Sequence, residues 1–132
     1  MNDFLEQEVM ELIFRNTAIF AAPANVFVSL WTTTSVDAGT GTEVTGGSYA
    51  RESVNTTTGW DAPGATGGAT ANSADTDFGT ASANWGTITD AQLGDNASGG
   101  NFFFYSAMDA SKTVDNGDSF KFATGDIDVV VA

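Results

Sequence analysis

The chain changes character once along its length, and that change governs what it can fold into. Residues 2–15 contain neither Gly nor Pro, whereas the sequence beyond Ala21-Ala22-Pro23 is dominated by Gly, Thr, Ser, Ala and Asn, with apolar residues in short alternating clusters. In the first stretch Leu5, Val9, Leu12 and Ile13 recur at helical spacing with Phe4 beside them, so one apolar stripe runs along a helix. Asn2 is a suitable N-cap. Asp3, Glu6 and Glu8 stand where the helix dipole favours negative charge, and Arg15 stands where it favours positive charge. A helix this short is marginal in water until its stripe is covered. The stripe therefore docks on the chain's own domain or on a neighbouring subunit.

The remainder reads as strands, predicted over residues 25–32, 47–55, 76–80, 84–93, 100–108, 119–123 and 127–131. In the first of these Val26, Val28 and Leu30 alternate with Phe27, Ser29 and Trp31, so both faces meet apolar neighbours. The run Phe102-Phe103-Phe104-Tyr105 suits a strand covered on both sides. Turn chemistry separates the strands at Asp37-Ala38-Gly39-Thr40-Gly41, Asp61-Ala62-Pro63-Gly64, Leu93-Gly94-Asp95-Asn96 and Asp115-Asn116-Gly117-Asp118. Residues 64–72 are low in complexity and predict a long surface loop. Many short strands with Gly-rich turns predict an all-β fold, a β-sandwich or jelly-roll-like single domain with a short N-terminal α-helix. The expected division is a helical arm over 1–22 and a sandwich over 23–132. At 132 residues the chain can build one core without a metal or disulfide staple.

Composition removes most chemistry. There is no Cys and no His, which excludes disulfides, thiolate zinc sites, cysteine nucleophiles, Ser-His-Asp triads and imidazole bases. Seventeen acidic residues against four basic ones give a net charge of −13, which repels nucleic-acid backbones and anionic membranes. Neither class of partner is expected. The first residues are acidic where a secretory signal is basic, and no apolar run approaches the ~20 residues that span a bilayer. The expectation is a protein made in a cytoplasm that stays in solution. Gly39, Gly41, Gly46 and Gly47 have no nearby Lys, and Glu43 repels phosphate, so they do not make a phosphate loop. Asp115, Asp118, Asp126 and Asp128 lack calcium-loop spacing and read as solvated turn and strand residues. A glycosidase pair has no specific signal among seventeen carboxylates. Trp31 and Trp85 read as core, and Trp60 as the tryptophan exposed enough to stack on a sugar. No catalytic residue, cofactor or metal is expected. Arg51, a lone cation in acidic surroundings, has Glu43, Glu52 or a carboxylate of a partner chain as its mate.

The run Phe27-Val28-Ser29-Leu30-Trp31-Thr32-Thr33-Thr34, followed by Gly41-Thr42-Glu43-Val44-Thr45-Gly46-Gly47-Ser48-Tyr49-Ala50-Arg51, resembles a family of small virion structural proteins of tailed phages. Ala83-Asn84-Trp85-Gly86-Thr87-Ile88-Thr89, Ser98-Gly99-Gly100-Asn101-Phe102-Phe103-Phe104-Tyr105 and Lys112-Thr113-Val114 extend the resemblance over nearly the whole chain. Ser35-Val36 departs from it, standing where the family has a Pro. The resemblance implies a capsid cement or decoration protein that stabilises the outer shell by bridging capsid subunits. It would be a homotrimer with the major capsid protein as partner, made in the host bacterial cytoplasm and carried on the capsid exterior. Relatives labelled as tail-fibre proteins supply the alternative, a tail or fibre component that adheres to glycans. Phe4, Leu5, Val9, Leu12 and Ile13 of the helix, together with Arg51, are the expected interface residues.

Overall fold

The computed structural model describes residues 1–17, 20–33, 37, 40–64 and 68–131. Helix α1 (Asp3–Arg15) is followed, among these residues, by strands β1 (Asn25–Trp31), β2 (Glu52–Asn55), β3 (Ala69–Ala71), β4 (Thr76–Thr80), β5 (Gly86–Gly94), β6 (Phe102–Val114), β7 (Ser119–Phe122) and β8 (Asp128–Val130). The alternation read in β1 decides the architecture. Val28 and Leu30 are fully buried on one face, and Ser29 and Trp31 are buried on the other. A strand covered on both faces sits inside a sheet, and β1 lies between β2 and β5 in an antiparallel sheet of order β2-β1-β5-β6. Two ribbons, β3 with β8 and β4 with β7, supply the opposing layer. Phe78 of β4 and Phe120 of β7 join Val28, Leu30, Ile88 and Leu93 in one apolar core, with Phe122 and Val129 packed against it. Ring pairs such as Phe78–Phe120 (5.9 Å, edge-on) lock the β4–β7 ribbon down. The chain is the all-β single domain with a short leading helix that its sequence predicts.

Departures from the predicted strands have local causes. The expected strand over 47–55 begins only at Glu52, because Gly46, Gly47 and Ser48 adopt φ of 74°, 57° and 65°. That left-handed run turns the chain instead of extending it. Gly47 is obligatory there, since a Cβ would stand 2.8 Å from the Trp85 indole nitrogen, which donates to the Gly47 carbonyl at 2.9 Å. The predicted loop over 64–72 contains β3, whose Ala69, Thr70 and Ala71 pair with Val130, Val129 and Asp128. Residues 65–67 of that loop lie outside the described residues, as do Ser35, Val36 and the Ala38-Gly39 centre of the first predicted turn. Strand β6 runs past its predicted end at residue 108 to Val114, and it bends. Ile88 pairs with Lys112 and Asp90 with Ala107, so Thr89 alone stands opposite residues 108–111.

Two tryptophans are core residues as expected, Trp31 on one face of the sheet and Trp85 on the other. Trp60 is not the exposed ring the sequence suggested. It is half-buried, bridges to Asn72, and its indole N–H lies buried without an acceptor among the described residues. The turn that holds it folds inward because the Asp61 amide bonds the Ala71 carbonyl at 2.8 Å.

Candidate functional site

The helical arm is fixed at its base by a bulge in β6. Leu93 pairs with Phe104 and Gly94 with Phe102, leaving Phe103 as the extra residue. The Phe103 carbonyl accepts the Asn2 amide at 2.8 Å. Gly94 permits the bulge, since a Cβ there would sit 2.8 Å from the Asn101 carbonyl. Asn2, buried, accepts the Phe4 amide on its side chain at 3.0 Å, which is the cap read from the sequence. Phe4, Phe20 and Phe103 then form a three-ring cluster with centroids 5.1–6.3 Å apart. Chain returning past the helix is tied back by the Phe20 amide, which donates to Glu8 Oε2 at 3.2 Å.

The far end is free. Asn16 takes a left-handed conformation, and its amide and that of Thr17 both donate to the Glu11 carbonyl, closing the helix. Phe4, Leu5 and Val9 of the predicted stripe are half-buried, but Leu12 and Ile13 are 45 % and 63 % exposed. Met10 and Phe14, which the sequence reading passed over, are 56 % and 72 % exposed. Met10, Ile13 and Phe14 stand at i, i+3 and i+4, a second apolar face that extends the helix's apolar surface round its tip. Their spacing was visible in the sequence and was masked by the longer stripe beside it.

Arg51 lies elsewhere and has its bonds within the chain. Its Nε and Nη2 fork onto the two oxygens of Glu43, each at 2.7 Å. Nη1 reaches the Asn96 and Gly99 carbonyls at 2.9 and 2.8 Å. The guanidinium carbon stands 4.9 Å from the centre of the Phe102 ring. Glu43 also accepts from the Tyr49 hydroxyl (3.0 Å), which in turn accepts the Leu30 amide (2.9 Å). Burial holds the Tyr49 phenol well above its ordinary pKa, so it remains a neutral donor. The bond to Glu43 raises the Arg51 pKa further. Of the three mates open to Arg51, Glu43 is the one it forks onto.

Beside the helix start, Asp3, Glu6 and Asp37 bring carboxylate oxygens within 4.8 Å of one another. A hydrogen bond to Asp37 and repulsion from its charge hold the Asp3 carboxyl above its ordinary pKa. Asp118 and Asp126 of the two candidate calcium turns accept their own turns' amides, from Asp115 (3.0 Å) and Ala123 (2.8 Å). These are turn-closing bonds.

Two concavities open on the surface of the described residues. One, of about 450 Å³, is lined by Val26, Trp60, Leu93, Phe103 and Val129 among others. The larger, about 940 Å³, opens between β6 and the strands β7 and β8 and reaches Val28 and Leu93 of the core. No helix among the described residues is long and apolar enough to cross a membrane. The surface thus offers an apolar helix tip, a smaller cleft that is mainly apolar and a larger one that mixes apolar and charged residues.

No curated protein matches the sequence. The family model described as podophage GP4 fiber I protein gp80 does match, over residues 1–130, and the chain belongs to this family of phage virion structural proteins.

Proposed function

We propose that the protein is a fibre-type subunit on the exterior of the phage particle, anchored through α1 and acting by assembly, without catalysis. The observation that carries this reading is the uncovered tip: Met10, Leu12, Ile13 and Phe14 face solvent at the end of a helix whose base is pinned. An apolar patch on a chain of net charge −13 is accounted for by a protein surface that covers it. In this reading Phe4, Leu5 and Val9 set the angle of the arm, and Leu12 and Ile13 meet the neighbour. Arg51 contributes at one remove, by holding the turn before β6 through Asn96 and Gly99. The assembled form is a homotrimer. The acidic surface turns away from packaged DNA and from lipid. The family's description as a fibre protein favours an appendage over the shell.

A second reading, cement that bridges major capsid protein subunits on the shell exterior, is favoured by the build of the chain. The sequence shows no internal repeat, unlike the repetitive shaft of a fibre. Copy number decides between them. Quantitative mass spectrometry of purified particles, referenced to the major capsid protein, should find the small number expected of an appendage. A lattice-like fraction, near one copy per capsid subunit, would overturn the fibre reading in favour of cement. Leu12→Asp with Ile13→Asp should leave the protein folded and remove it from particles; normal incorporation would refute anchoring through α1.

A further inference from the structure

Between Arg15 and Glu43 the chain carries one titratable side chain, Asp37, and the fold sets it against the first turn of α1. The Asp3 amide points to the Asp37 carbonyl at 3.4 Å, and carboxylate oxygens of Asp3, Glu6 and Asp37 lie within 4.8 Å of one another. Asp3 and Glu6 are exposed, while Asp37 is half-buried. Its Oδ1 atom is buried, and no donor reaches it among the described residues. No cation offsets the three charges. Arg15 pairs with Glu11 at the other end of the helix, Arg51 with Glu43 and Lys121 with Asp75. Lys112 donates to the Ser119 carbonyl, and the Met1 ammonium forms no ion pair among the described residues. Strand β6, on which the helix base packs, is uncharged over residues 101–108. Glu8, the next carboxylate along α1, is engaged by the Phe20 amide. The helix start itself favours negative charge, but Asp37 is a third charge brought there by another part of the chain.

We infer that this cluster is an acid-operated latch on the arm: a proton taken up from solvent and shared between Asp3 and Asp37 clasps α1 to the domain. At neutral pH the like charges push the helix base outward, against the Asn2 bond to Phe103 and the Phe4–Phe20–Phe103 rings. A proton turns the Asp3–Asp37 contact from repulsion into a carboxyl–carboxylate hydrogen bond and gives Asp37 a donor. Uptake is coupled to docking because Asp3 and Glu6 travel with the helix, whereas Asp37 stays with the domain. The direction agrees with the raised pKa of Asp3, whose largest cause is the hydrogen bond to Asp37, followed by the Asp37 charge. A carboxyl raised in the docked state contributes stability that is complete below its ordinary value of 3.8. That stability is lost as pH rises through the docked value. The latch sets how firmly the arm is held, and it stands whichever partner the helix tip meets.

Amide hydrogen exchange of the full chain, followed by NMR in metal-free buffer, tests the latch. After correction for intrinsic rates, protection of α1 relative to β5 should rise several-fold in the parent between about pH 7 and about pH 4. Asp37→Asn removes the repulsion, so it should show the higher ratio already at neutral pH and change little in acid. Protection of β5 reports that the variant is folded. A parent whose ratio stays flat would overturn the proposal. So would an Asp37→Asn variant that keeps the parent's pH response, because the response would then come from α1 alone. Asp3→Asn, at an exposed position, is the second variant. It should lose the response as well, and a response that survives there would equally overturn the latch.

Discussion

Arg51 joins three separate stretches of chain with one side chain, gripping Glu43, lying over Phe102 and bonding the carbonyls of Asn96 and Gly99. Its side chain is 6 % exposed and that of Glu43 is 21 % exposed, so the pair is largely desolvated. Arg51→Ala would leave a half-buried carboxylate without its cation and two carbonyls without their donor. It is expected to cost about 3 kcal/mol, read from the shift in urea midpoint. Arg51→Lys keeps the charge, loses the two-pronged fit and should forfeit most of the same stability. The sequence pointed to Arg51 because it is a lone cation among acids, and it offered Glu43 as one of three mates. It gave no sign of Asn96 or Gly99. Those partners are 45 and 48 positions away, and backbone carbonyls carry no residue-specific signal. Trp60 was misread for a related reason: turn composition describes the backbone and does not say which way a large ring lies.

Helix α1, β1, β4 and β5 were legible because each carries its own periodicity: a stripe with a cap in α1, alternation in the strands. Strand β3 was not. Ala69-Thr70-Ala71 has little intrinsic strand preference and owes its conformation to pairing with β8, a relation of distant segments. The helix tip sits between these cases, since Met10, Ile13 and Phe14 were in view but spacing alone does not reveal which face the fold leaves bare. At this scale the β4–β7 ribbon has a titratable clasp. Asp75, just before β4, pairs with Lys121 Nζ at 2.7 Å and accepts the Thr124 amide at 3.0 Å. The Lys121 bond, then the Thr124 amide, hold its carboxyl below the ordinary value of 3.8. A carboxyl depressed in the fold contributes stability above its unfolded pKa and loses it as pH falls through the folded value. The stability difference between the parent and Asp75→Asn should therefore be constant at neutral pH and vanish in acid, below 3.8. Amide exchange of β7 across that range would measure it, and a difference that persists in strong acid would refute the clasp.

The whole molecule carries a charge of −13, so copies of it repel before they meet. Self-assembly through the apolar tip of α1 must overcome that repulsion. Raising salt from about 0.02 to about 0.3 M shortens the screening length and should tighten self-association, as sedimentation would show; weakening would mean that ion pairs dominate the joint. The sandwich class was legible at this scale because Gly-rich turns at short intervals admit few other architectures, while the cleft was invisible, because β6, β7 and β8 follow one another in sequence yet pair with β5, β4 and β3 in separate sheets. A virion holds its surface proteins shoulder to shoulder, a crowding in which free strand edges zip together and seed aggregates. Strand β6 is such an edge, yet residues 108–111 leave its pairing line opposite Thr89. A foreign strand can follow that edge for only a few residues before it loses register. Sheet growth along β6 from one molecule to the next should halt at that bend, which keeps crowded copies as discrete subunits.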